Sequence, residues 1–189
     1  MSSKRRFATI EEMDFIFQNT PVKVVANRSH PEIELIGLKV GPFEEGKEYE
    51  VKFWIARELE KNKIARIRED YMLTLVKLYK IHWRERVQEA RQLAPMSEDF
   101  YPKLRKLLAD LKREALSNAE KIKEYEKAER LSKDILNCRL KKIVSLASAP
   151  AQTDQTLKNL TMEERSLYEQ LHELINQWKE KTLKLEGEK

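Results

Sequence analysis

The sequence predicts an α+β protein: a small β-rich domain over residues 1–69, followed by a mainly helical bundle domain over residues 70–189. Three observations carry this reading. Ahead of Glu69, apolar residues come in short period-two runs. From Asp70 onward they recur at three- and four-residue steps, the period of an amphipathic helix. Three of the four glycines, Gly37, Gly41 and Gly46, fall within one stretch of the first part, so the sharp turns are concentrated there.

In the first part, Thr9 followed by Glu12 forms a capping-box pattern that opens a short helix through Phe15 and Ile16, and Pro21 ends it. Val22, Val24 and Val25 predict a strand, and Ile33 and Leu35 alternating with Glu32 and Glu34 predict another. Gly41-Pro42 and the acidic turn closing on Gly46 read as a tight connection between strands. Tyr49, Val51 and Phe53 alternate with Glu50 and Lys52 as a half-buried strand does. At Trp54 the period changes, and Ile55 and Leu59, four apart, predict a short helix. Ile64 to Ile67 predict one more strand. Pieces this short bury a core only together.

In the second part, Met72, Val76, Tyr79, Trp83, Val87 and Ala90 predict a helix that ends near Pro95. Ser97 suits an N-cap, Glu98 and Asp99 suit the positive end of the helix dipole, and Pro102 is tolerated in the first turn. Leu104, Leu107, Leu108 and Leu111 form that helix's stripe. Ser117 with Glu120 predicts the next cap, with Ile122, Tyr125 and Ala128 on one side of the helix that follows. Residues 148–159 lack periodicity and read as a linker. Thr161 with Glu164 caps the last helix, whose stripe is Leu167, Leu171, Leu174, Ile175 and Trp178, and residues 186–189 read as a fraying tail.

One segment is richer in apolar residues than a surface helix needs. Ile135, Leu136, Cys138, Leu140, Ile143, Val144, Leu146 and Ala147, advanced by 100° per residue, cover more than half the circumference. Such a helix is either central in its own bundle or meets another chain. Ile135, Arg139, Leu140, Ile143 and Val144 are the candidates for a subunit interface. Arg139 lies inside the apolar run, so its charge needs an acceptor, and Asp134, five residues away, is poorly spaced to supply one. The acceptor is expected on another helix or chain.

Composition narrows the function classes. Hydrophobic residues make up 41% and charged residues 37% of 189, which suits a folded chain with a large solvated surface. Lone Cys138 cannot form an internal disulfide and reads as a buried thiol, and no apolar run reaches the length of a membrane span. Thirteen basic against twelve acidic residues stand up to Glu69, and twenty-four against twenty beyond it, a mild and dispersed excess. The basic set Lys121, Lys123, Lys127, Arg130, Lys133, Arg139, Lys141 and Lys142 reads as a solvated helix face before a DNA track. His30, His82 and His172 lack metal-ligand spacing, and no phosphate-cradling glycine motif is present. Neither a catalytic residue, a metal site nor a cofactor is expected. Phe43 and Trp54 could stack on a base, but their neighbours follow a burial pattern and favour a core role.

Leu35, Ile36, Gly37, then Gly41, Pro42, Phe43, Gly46, Val51, Trp54, Ile55, Ala56 and Leu59, taken in order, resemble the signature of the GINS complex subunits that carry their small β domain first. These are the eukaryotic second and third "partner of Sld five" subunits and their single archaeal counterpart. One departure stands out: the family usually has Pro just ahead of the Trp, where this chain has Lys52 and Phe53. Phe100, Tyr101 and Leu104 to Leu108, and then Asp134-Ile135 with Arg139, Lys142 and Ile143, are similar to two further family segments.

The resemblance implies an archaeal-type, non-catalytic scaffold subunit, with the signature residues Gly37, Gly41, Pro42, Phe43, Gly46, Trp54 and Leu59 in structural roles. It implies pairing with a sister GINS subunit in a two-plus-two heterotetramer. It further implies assembly with and activation of the MCM helicase, association with a RecJ-like protein, weak or indirect DNA contact, and a cytoplasmic, nucleoid-associated location with no membrane. The alternative is a DNA-binding accessory protein that uses the basic helices.

Overall fold

A computed structural model describes residues 9–35, 37–87, 92–149 and 154–184. The chain forms two compact units, one from Asp14 to Leu73 and one from the residues before it together with Thr74 onward.

The smaller unit holds β1 (Pro21–Ala26), β2 (Ile33–Leu35), β3 (Leu38–Val40), β4 (Glu48–Lys52), α2 (Phe53–Lys61) and β5 (Ala65–Ile67); α1 (Ile10–Gln18) precedes them. The capping box is present: the Thr9 amide donates to Glu12 Oε2 at 2.9 Å, and the Glu12 amide donates to Thr9 Oγ1 at 3.2 Å. β1 is the central strand, antiparallel to β4 on one side and β5 on the other, with Val22 opposite Val51 and Val24 opposite both Tyr49 and Ile67. Its alternation sends Val22, Val24 and Ala26 into a core shared with Phe17, Phe43, Phe53, Ile55 and Leu59. β2 and β3 form a separate antiparallel pair. β3 carries no readable signal, because the alternation Leu38-Lys39-Val40 is too short to establish a period. The turn at Gly41 to Gly46 joins β3 to β4, which belong to different sheets.

The short helix starts at Phe53, one residue before the change of period at Trp54. The Phe53 amide donates to the Thr20 carbonyl at 2.9 Å. Proline has no N–H, so the departure from the family pattern here supplies a hydrogen bond that the family's residue cannot make.

The helical unit contains α3 (Leu75–Val87), α4 (Phe100–Ala115), α5 (Ala119–Ser148), α6 (Asp154–Leu157) and α7 (Met162–Leu183). α5, 30 residues long, touches α3, α4 and α7 and is the axis of the bundle. Its cap is Asn118, whose side chain accepts from the Glu120 amide at 2.9 Å, while Ser117 bonds back to the Glu114 carbonyl. α4 starts after Asp99, not Ser97; Ser97 Oγ donates to the Asp99 carboxylate and Lys103 pairs with it at 2.7 Å. The cap Thr161–Glu164 of α7 is a complete capping box. The expected linker contains the one-turn α6.

α3 corrects the sequence reading. The helix begins at Leu75, and its apolar stripe Val76, Tyr79, Trp83 and Val87 is 53–66% exposed, while Leu78, His82 and Glu85 face inward. Periodicity reports that a helix has two faces; a buried face that carries Glu85 reads as the polar one. Ala90 and residues 186–189 lie outside the described residues.

Candidate functional site

The centre of the helical unit is polar. Arg139, on α5, has 0% exposure among flanking apolar residues. Its Nη1 donates to Glu85 Oε2 and to the Ala94 carbonyl, each at 3.0 Å. Its Nη2 donates to the Asn159 carbonyl at 2.8 Å and to Glu164 Oε2 at 2.6 Å, and its Nε donates to Glu164 Oε1. All five guanidinium N–H groups are thereby used. Lys142, one turn further along α5, reaches Glu85 Oε1 at 2.8 Å and the Glu85 carbonyl at 3.0 Å. Tyr101, on α4, donates its hydroxyl to Glu164 Oε1 at 2.6 Å. Two cations thus meet two carboxylates, and no charge is left over.

The cluster joins every long helix of the unit. Glu85 comes from α3, Tyr101 from α4, Arg139 and Lys142 from α5, and Glu164 from the first turn of α7, where it also accepts from the Thr161 amide at 3.1 Å. Burying four ionised groups costs several kcal/mol each before their mutual attraction is counted, on the order of what pairing returns. On that balance the arrangement ties the four long helices together while adding little net stability. The titration directions agree with this geometry. Burial works against the Arg139 charge, but the hydrogen bonds and the attraction of Glu164, with Glu85 behind it, outweigh it and raise its pKa. Burial, then the neighbouring Glu164 carboxylate, raises the Tyr101 phenol above its ordinary value.

This places the five interface candidates. Ile135, Arg139 and Ile143 are enclosed by the chain's own helices. The acceptors of Arg139 are on this chain, on α3 and α7, and not on another. Leu140 and Val144, with Leu136, stay 45%, 41% and 44% exposed and form a stripe at four-residue spacing along α5. Cys138 is half-buried. The apolar excess thus divides between an enclosed face and a bare one.

The signature residues gather in the smaller unit. Phe43 is buried, with its ring edge-on to Tyr49 at 4.9 Å, and the Tyr49 hydroxyl accepts from the Glu44 amide at 2.7 Å. Gly41 has φ +100°, and a Cβ there would lie 3.1 Å from the Phe43 ring. Gly37 and Gly46 also have positive φ, while Pro42 follows Gly41 on the exposed side. Leu59 is buried and Trp54 is half-buried against the same core.

Glu85 and Glu164 were not legible as site residues. A carboxylate on a helix gives no signal of burial, and Glu164 is fully accounted for as a cap. The basic set on α5 loses members to pairing: Arg139 and Lys142 are buried, Lys121 pairs with Glu124 at 2.8 Å, and Lys133 pairs with Glu129 at 3.0 Å. Among the described residues, no group of His, Cys, Asp and Glu could hold a metal ion, and no helix is long and apolar enough to cross a membrane.

Comparison with known proteins bears on both units. The model of the GINS complex protein helical bundle domain matches residues 71–183, and the model of the PSF2 N-terminal domain matches residues 9–68. The DNA replication complex GINS protein PSF2 of Homo sapiens is 31% identical over 156 residues, covering 81% of this chain and 80% of the relative. Its namesake from Xenopus laevis is 29% identical over 156 residues, with the same coverage. With its helical unit matched almost from end to end and its β-rich unit of the PSF2 type, the chain belongs to the GINS complex protein family.

Proposed function

We propose that this chain is a non-catalytic scaffold subunit of a GINS complex in DNA replication, working through buried interface area. The observation that carries this reading is the exposed stripe Leu136, Leu140 and Val144 on the helix that is otherwise the centre of the bundle. Obligate interfaces resemble a domain core cut in half, and they bury on the order of 2,000 Å² or more. A bare apolar face beside the enclosed Arg139–Glu164 pair fits that description. Its partners are other GINS subunits. The finer reading is a two-plus-two tetramer with a sister subunit, which joins and activates the MCM helicase, works beside a RecJ-like protein and touches DNA weakly or indirectly. That part rests on the family resemblance.

Co-expression with candidate sister chains, followed by mass measurement by light scattering, tests the proposal. A stable complex of tetramer mass supports it, with two or four distinct chains separating the two-plus-two form from a four-subunit form. A chain that remains monomeric with every GINS sister contradicts it. Steeply salt-dependent DNA binding by the isolated chain would favour the accessory-protein reading instead.

A further inference from the structure

Beside the bare α5 stripe lies a groove of about 810 Å³, walled by Leu104 and Leu108 of α4, Leu136 and Leu140 of α5 and Leu167 of α7. A groove with aliphatic walls takes an apolar occupant. Its rim holds one group that such an occupant alone does not satisfy. Glu163, in the first turn of α7, lines the groove with both carboxylate oxygens buried and without a hydrogen-bond partner. Arg105 approaches Oε1 to 3.7 Å, close enough to ease the charge and too far to donate a hydrogen bond. Glu164, the next residue, has its oxygens filled by Arg139, Tyr101 and the Thr161 amide, so the difference between the two neighbours is local. A buried carboxylate without donors is costly, and side-by-side empty oxygens suit a guanidinium fork or an ammonium.

We infer that this groove receives an aliphatic segment of a partner GINS subunit that carries one Arg or Lys, whose cation donates to the Glu163 carboxylate. The inference rests on the proposed scaffold role and adds the chemistry of the contacting segment. The aliphatic residues of the partner cover Leu104, Leu136 and Leu140, and its cation completes the hydrogen bonding that Arg105 leaves open.

The experiment uses the assembled complex formed with its sister subunits. A photo-reactive p-benzoylphenylalanine replaces Leu140, and in a control replaces Trp178, which lies on α7 and does not line the groove. After irradiation, mass spectrometry identifies the joined peptide. The expected result is a Leu140-specific link to a partner peptide with Arg or Lys among aliphatic residues. In parallel, Glu163→Gln keeps the shape and removes the charge; its affinity for the partner should fall about ten-fold, as loss of a hydrogen bond to a charged group does, while its own thermal unfolding temperature does not fall. Links from position 140 only to this chain's own residues 1–8, links to a partner peptide without a basic residue, or undiminished affinity in Glu163→Gln overturn the inference while the complex itself stands. If no complex forms with any sister chain, the scaffold reading falls and the inference falls with it.

Discussion

Arg139 Nη2 and Glu164 Oε2 lie 2.6 Å apart, and through that contact the middle of α5 is tied to the N-terminal cap of α7. Glu164 serves two structures at once: it completes the capping box with Thr161, and it is the principal counter-ion of a buried guanidinium. Fixing the start of α7 and fixing the rotation of α5 are one event.

Removing Arg139 leaves Glu164 buried without its cation and Glu85 with Lys142 alone. Arg139→Met should destabilise the chain by about 3–5 kcal/mol, the usual cost of breaking a buried pair. Arg139→Lys should recover only part of this, because an ammonium has three donors where five are used. Urea unfolding of the two variants against the wild type checks the order.

The cap and the counter-ion can be separated by comparing Thr161→Ala with Glu164→Ala. Loss of the threonine cap should cost about 1 kcal/mol. Loss of Glu164 should cost several-fold more, since Arg139 and Tyr101 lose an acceptor with it. Equal effects, measured by urea unfolding, would mean that the buried pair contributes nothing beyond the cap.

Tyr101 gives the fold an alkaline limit. Its phenol is raised in the folded chain by burial and by Glu164, so the folded state keeps the proton at a pH where the unfolded state has lost it. Stability from this group is complete below about pH 10 and falls as pH rises beyond it, by up to about 1.4 kcal/mol per pH unit. Tyr101→Phe should flatten the stability–pH curve between about pH 10 and pH 11 relative to the wild type, as read by urea unfolding across that range.

The turn of the smaller unit tests its glycines. Gly41→Ala puts a Cβ 3.1 Å from the Phe43 ring at φ +100°, whereas at Gly37, φ +78°, nothing lies within 4 Å. Gly41→Ala should therefore cost about 1–3 kcal/mol and Gly37→Ala about 1 kcal/mol. Hydrogen exchange of β1 amides in the full chain, such as Val24, reports the difference.

What the sequence revealed follows from which signals are local. The Thr9 and Thr161 capping boxes, the alternation of Val22 and Val24 and the change of period near Trp54 depend on neighbours in the chain, and the structure reproduces them. The inner face of α3 was illegible, because Glu85 is buried only by virtue of Arg139 and Lys142, 54 and 57 residues away. For the same reason the acceptors of Arg139 were anticipated without being named. The apolar girth of α5 is legible in the sequence, but only the structure divides it into an enclosed side, with Ile135 and Ile143, and an exposed side, with Leu136, Leu140 and Val144.

The exposed side of α5 is proposed to be covered by a sister subunit. Its most direct test is the light-scattering mass of co-expressed complexes carrying Leu140→Asp, a substitution at a surface position that should leave the chain's own melting temperature nearly unchanged. Ile143→Asp is unsuitable, since Ile143 is 2% exposed and an aspartate there would break the bundle itself. The Leu140→Asp chain, folded by circular dichroism, should elute at monomer mass while the wild type elutes in the complex. A complex of unchanged mass and unchanged yield with Leu140→Asp would contradict it.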